Sequence, residues 1–118
     1  LTIVYVRSIH FYAPMMDDLA DNLKFQWDEG NAEKNLVAHQ VTRSEIEQIF
    51  FRRPMVVAKF SQQARREPRY FALGRTDAGR QLLVIFTTRD QLIRVISVRD
   101  MSRRERRVYS LAEENADT

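Results

Sequence analysis

The sequence predicts an α+β fold: a short N-terminal strand and two helices, then a mainly antiparallel sheet and a C-terminal helix. Three observations carry this reading. Residues 69–76, 81–88 and 92–99 are apolar runs joined by hairpin-length connections, which makes 69–99 a three-stranded meander. Thr42-Arg-Ser-Glu45 has the capping-box pattern of a helix start, and Ser102 precedes another helical run. The 118 residues, 44% hydrophobic and 30% charged, fit one compact domain.

Taken in order, residues 1–6 alternate as a short strand does, and Pro14 stops extended structure. The acidic stretch 15–23 predicts a short helix. Residues 1–22 are expected to form an extension outside the core, with the domain proper over 23–113 and an acidic tail at 114–118. Lys24-Phe25-Gln26-Trp27 alternates as a half-buried strand, with Trp27 packing at its end. Asp28 is then a good N-cap for a helix over 29–38 that His39 closes. The helix opened by Thr42 should bury Ile46, Ile49 and Phe50, and Pro54 follows its end. Residues 55–60 form a strand, and the polar, basic stretch 61–68 a loop. Gly79 is expected to take a positive φ in the turn after the first meander strand. Residues 82–86 are apolar at successive positions, so this strand should be central and covered on both faces. The last helix should run over 103–112 with Val108 and Leu111 on its apolar side.

Positive charge is concentrated. Residues 1–42 carry three bases and six acids, residues 43–107 sixteen bases and seven acids, and residues 108–118 three acids. Sixteen of the nineteen bases are arginine, whose planar guanidinium bonds a phosphate through two parallel N–H donors. A basic centre between acidic ends points to a polyanion-binding face. Cysteine is absent, which excludes disulfides, Cys-ligated zinc, iron–sulfur clusters and thiol catalysis, and fits a reducing cytoplasm. No apolar run approaches the ~20 residues of a membrane-crossing helix. The two histidines, His10 and His39, lack ligand spacing for a metal, and three glycines make no phosphate loop. No cofactor is expected.

The meander topology places Arg75, Arg80 and Arg99 at one end of the sheet, with Arg103 and Arg104 just beyond it. Such a cluster either holds phosphates or bridges to Asp77 and Asp100. Strand parity puts Arg94 on the opposite face from Arg99. Arg65, Arg66 and Arg69 line the basic loop, where Glu67 is expected to pair with one of them. Positioned guanidinium groups suit RNA cleavage without metal, because the ribose 2′-OH is an internal nucleophile. His39, Glu67, Tyr70 and Tyr109 are the candidates for proton transfer. A non-catalytic nucleic-acid-binding module explains the charge equally well.

Lys24-Phe-Gln-Trp-Asp-Glu29, Asn35-Leu36, His39, Val84-Ile-Phe86 with Thr87-Thr88-Arg89, Ile93-Arg-Val-Ile-Ser-Val-Arg99 and Ser102-Arg-Arg-Glu-Arg-Arg-Val-Tyr109 together resemble the BrnT family of bacterial toxins, in order over residues 23–112. The resemblance implies a RelE-like fold and a ribonuclease of a type II toxin–antitoxin system that inhibits translation. It implies importance for Trp27, Asp28, Glu29, His39, Arg75, Arg94 and Arg99. It further implies a ribbon-helix-helix antitoxin that neutralises the toxin, commonly as a heterotetramer bound to operator DNA. On this reading Arg75, Arg80 and Arg99 hold the scissile phosphate with His39 assisting, and Arg65, Arg66, Arg69, Arg94, Arg103 and Arg104 bind RNA. One departure is Gln40, where the family usually has Gly.

Overall fold

The computed structural model describes residues 3–6, 24–28, 39–52, 54–60 and 67–116. The helices expected over 15–23 and 29–38, and the loop stretch 61–66 with Arg65 and Arg66, lie outside these residues. Five strands form one antiparallel sheet in sequence order: β1 (Ile3–Val6), β2 (Val56–Phe60), β3 (Tyr70–Arg75), β4 (Gln81–Arg89) and β5 (Leu92–Asp100). Helix α1 (Arg43–Phe51) precedes β2, and α2 (Arg103–Ala116) follows β5. β1 pairs with the outer edge of β2, Ile3 opposite Phe60, so this part of the N-terminal segment is built into the sheet. Residues 24–28 run parallel to the outer edge of β5. The strand expected there is a single bridge, Phe25 to Ile93, flanked by bonds from Gln26 N–H to the Ile93 carbonyl (2.8 Å) and from Ile93 N–H to the Lys24 carbonyl (2.9 Å).

Each face of the sheet carries a helix. On the first, Ile46, Ile49 and Phe50 of α1 pack with Val57, Tyr70, Ala72, Leu82, Val84, Phe86, Ile93, Val95 and Val98, and Phe25 and Trp27 close the edge. On the second, Tyr109 and Ala112 of α2 pack with Val56, Ala58, Phe71, Leu73, Leu83 and Met101. Leu82 and Leu83 are both buried, one in each core, so the apolar run of β4 is covered on both faces as its sequence predicts. Where α1 crosses β3 the approach is close: a Cβ on Gly74 would lie 2.7 Å from the Ile49 Cβ.

The helix starts follow their sequence signals. Thr42 and Glu45 form the expected capping box: Glu45 N–H donates to Thr42 Oγ1 (3.1 Å) and Thr42 N–H to Glu45 Oε1 (2.9 Å). Ser102 and Glu105 repeat it on α2, at 3.2 and 2.8 Å. The far end of α2 differs from expectation. It runs a turn longer, to Ala116, and its buried stripe is Tyr109 and Ala112, whereas Leu111 points to solvent at 56% exposure. The stripe follows the i, i+3 spacing from Tyr109, which leaves Leu111 on the outer side.

The turn after β3 is closed by Thr76 and by Gly79 at φ 93°. The β4–β5 hairpin turns through Asp90 (φ 51°) and Gln91 (φ 66°), two left-handed residues that match a right-twisted hairpin without any glycine. Further along this hairpin, Ile85 faces Ser97 but Phe86 faces Val95, so Ile96 is an extra residue in β5. That bulge reverses the odd–even alternation of β5 and decides which arginines share a face.

Candidate functional site

Arg75, Arg80 and Arg99 do lie at one end of the sheet, with Arg75 opposite Gln81 and Leu83 opposite Arg99. Their guanidinium groups, however, do not converge. Arg75 donates Nε–H and Nη2–H to Glu113 (3.2 and 3.0 Å) and sits over the Tyr109 ring. Arg99 donates to both oxygens of Glu105 (2.7 and 2.8 Å). Glu105 and Glu113 are eight residues apart on α2, which is about 12 Å along the helix axis. A single phosphate cannot bridge that gap.

Arg80 leaves by the other side of the sheet. It donates to both oxygens of Asp100 (2.8 and 3.0 Å) and to the carbonyls of Gln40 and His39 (both 2.9 Å). Glu45 of α1 lies 3.9 Å away. A guanidinium has five N–H groups. Arg80 has four of them engaged, so it works as a clamp joining the sheet to α1 and to the chain at His39. The expected common rim of three phosphate-holding arginines is therefore corrected: long side chains starting at one edge are drawn apart by carboxylates on different elements.

A different grouping emerges on the α2 face. Ile93 and Val95 point into the first core, and so does Val98 beyond the bulge. Arg94 and Arg99 consequently both project from the opposite face, which overturns the parity expectation that separated them. Arg94 stands opposite Thr87 and Arg99 opposite Leu83. Those levels are four residue steps apart on β4, roughly 13 Å. Between the two arginines the floor is the half-buried pair Ile85 and Ser97, and Val108 of α2 packs alongside.

Beyond Arg94 the positive charge continues. Arg89 donates to both oxygens of Glu67 (2.6 and 2.9 Å), and Arg94 bonds Asp28 at 2.7 Å. Glu67, expected to pair with a loop arginine, is bonded among the described residues by Arg89 at the end of β4. The Arg89 hydrogen bond holds the Glu67 carboxyl below the ordinary carboxylate range, and the charges of Arg69 and Arg94 act in the same direction. Thr87 donates its hydroxyl to the Pro68 carbonyl (2.6 Å), which fixes the backbone next to Glu67 on β4. At the other end, burial works to raise the Glu105 carboxyl, but its bonds from Arg99 and Ser102 bring it below the usual range. The pairs orient the guanidinium groups without exhausting them. Arg99 uses three of its N–H groups, one of them on the Asp100 carbonyl, and Arg89 uses two.

The remaining candidates fall outside this surface. His39 is exposed and its carbonyl is held by Arg80, so it belongs to the clamp. Tyr70 is buried and stacks on Phe86. Tyr109 is buried and donates to the Pro54 carbonyl (2.8 Å), and burial pushes its hydroxyl pKa up. Both phenols are thus buried in the cores. Trp27 staples the edge, stacking on Phe25 and donating to Glu47 (2.8 Å). Arg103 and Arg104 are exposed on the outer side of α2. Sequence reasoning missed Arg89 and the roles of Asp28 and Glu105 as partners. The S-x-x-E spacing did announce Glu105 as a capping residue.

The family described as "Ribonuclease toxin, BrnT, of type II toxin-antitoxin system" matches residues 27–105. The chain belongs to the BrnT family. The crystal structure of the Brucella abortus ribonuclease toxin BrnT, determined at 1.1 Å, matches with a TM-score of 0.50 and 24% identity. The match covers 70% of this chain and 100% of that one, and it supports the α+β fold of the BrnT domain. No curated protein matches the chain. Among the described residues no group of three or more His, Asp or Glu could hold a metal ion, and no helix is long and apolar enough to cross a membrane.

Proposed function

We propose that this BrnT-family chain is an endoribonuclease that cuts RNA without a metal ion, on the α2 face of β4 and β5. As a toxin it would inhibit translation in the cytoplasm and be neutralised by a DNA-binding antitoxin of the ribbon-helix-helix type. The observation that carries the site is the β5 bulge, which sets Arg94 and Arg99 on one face with Ile85 and Ser97 between them. In this reading one of the two guanidinium groups stabilises the charge that develops as the 2′-OH attacks phosphorus, and the other grips a neighbouring phosphate of the RNA backbone. Arg69 and Arg89 extend the grip along the strand ends. Glu67, the proton-transfer candidate that lies among the arginines of this face, accepts the 2′-OH proton as the new O–P bond forms. It passes that proton to the 5′-oxygen as the P–O5′ bond breaks, leaving a 2′,3′-cyclic phosphate and a 5′-hydroxyl. Arg75 and Arg80 support the architecture.

Arg94→Ala should lower the cleavage rate of purified protein by about 10²–10³, the usual cost of one charge-stabilising donor, with unchanged thermal stability. Cleavage by the wild type should persist in EDTA. Glu67→Gln should lower the rate comparably, and the wild-type rate should stay level from pH 8 to pH 5, because a depressed carboxyl remains ionised there. Loss of activity in chelator, or a rate that falls off around pH 6.5 as with a histidine base, would contradict this mechanism. The carboxylate partners of Arg89, Arg94 and Arg99 also suit a protein that only binds nucleic acid. Intact RNA after incubation with wild-type protein would favour that second reading.

A further inference from the structure

The first turns of α2 are electrostatically anomalous. Arg103, Arg104, Arg106 and Arg107 crowd the helix N-terminus, where the macrodipole disfavours cations, and Arg107 has like-charged neighbours three and four residues earlier. The acid of this segment, Glu105, is committed to Arg99 and to its own cap. Arg106 folds back onto the Met101 carbonyl (2.9 Å). Arg103, Arg104 and Arg107 are exposed and make no ion pair among the described residues. One turn on, Leu111 is 56% exposed on the same outer side, beside Arg104 and Arg107 by helical spacing. A ridge that costs its own helix stability is explained by a partner that neutralises it.

We infer that the outer ridge of α2, Arg103, Arg104, Arg107 and Leu111, is the docking surface for the antitoxin, which meets it with an acidic amphipathic helix. Carboxylates three or four residues apart on that helix face the arginines, and an apolar residue covers Leu111. Charge complementarity favours an acidic partner, and the exposed leucine favours protein over RNA, whose backbone gains nothing from an aliphatic contact. This inference rests on the toxin reading, since it takes the partner from it. The ridge lies on the solvent side of the helix that carries Glu105 and Glu113. A partner seated there covers the helix bordering the proposed cleavage surface.

The test uses full-length toxin and the antitoxin of its own operon, with affinities measured by titration calorimetry at two salt concentrations. Arg107→Glu and Leu111→Asp should each weaken the complex at least tenfold, Arg107→Lys should retain it, and wild-type affinity should fall as salt rises. Arg107→Glu removes like-charge repulsion on α2, so its folding is not at risk. RNA cleavage by the free variants should equal that of wild type. Antitoxin affinity unchanged in both variants overturns the inference. So does a parallel loss of affinity for 2′-O-methylated RNA, which would mark the ridge as a nucleic-acid surface. A wild-type toxin that leaves RNA intact would instead refute the proposed function and leave this binding result standing.

Discussion

Arg80 and Arg94 are interchangeable in a sequence listing of basic residues, yet their surroundings assign them opposite tasks. Arg80 has two bonds to Asp100 and two to backbone carbonyls near α1, all between 2.8 and 3.0 Å. Arg94 pairs with Asp28 and faces the half-buried floor of the α2 side. Removing Arg80 strands two carbonyls and a carboxylate. Arg80→Ala should therefore cost about 2 kcal/mol of stability, measured by urea denaturation, a typical loss for hydrogen bonds to a charged group. The contrast with Arg94→Ala, which should lose activity and keep stability, separates clamp from site. Nothing local in the sequence distinguishes the two residues, because the difference lies in partners 20 to 66 positions away.

At the scale of elements, local rules served well wherever the signal is local. Both capping boxes, the Gly79 turn, the α1 burial set and the central β4 follow from short-range spacing. The bulge at Ile96 leaves a trace that strict parity counting overlooks. Ile93 and Val95 alternate with Arg94, but the phase shifts at Val95-Ile96, after which Val98 alternates with Ser97 and Arg99. The pairing of Phe86 with Val95 identifies Ile96 as the extra residue. A single insertion in a period-2 pattern transfers every later side chain to the other face, which is why the Arg94–Arg99 relationship was inverted. Gln40 offers a test at this scale. It follows helical His39 with φ 54°, the left-handed geometry that favours glycine. Gln40→Gly should raise stability by about 1 kcal/mol, seen as a higher urea midpoint with unchanged slope. A lowered midpoint would show that the Gln40 side chain contributes more than its backbone strain removes.

For the molecule as a whole, the sheet sorts its arginines between two faces, with Arg80 turned toward α1 and Arg75, Arg94 and Arg99 toward α2. Carboxylates from other segments hold them in place, and this makes folding sensitive to acid. Asp100 is held below 3.8 chiefly by its hydrogen bond from Arg80. Glu105 is held below 4.5 by Arg99 and Ser102, against the effect of burial. A folded-state pKa below the unfolded value contributes stability that is complete above the unfolded pKa and is lost as pH falls through the folded one. Stability should thus be level between pH 7 and about pH 5 and decline below pH 4. Glu105→Gln should shallow that decline, as read from urea midpoints across the range. The overall charge distribution was legible from the sequence, since the basic centre is simply a count. Its division into clamp, cleavage surface and outer ridge was not, because each depends on which carboxylate the fold brings within 3 Å.

The claim on which the account turns is that RNA lies across β4 and β5 between Arg94 and Arg99. Titrating the protein with 2′-O-methylated RNA, which lacks the attacking hydroxyl, while following the arginine Nε–H signals by NMR tests it directly. Signals of Arg94 and Arg99 should shift together and saturate together while that of Arg80 stays in place. Shifts confined to Arg80 and the His39 region, with Arg94 unmoved, would contradict it.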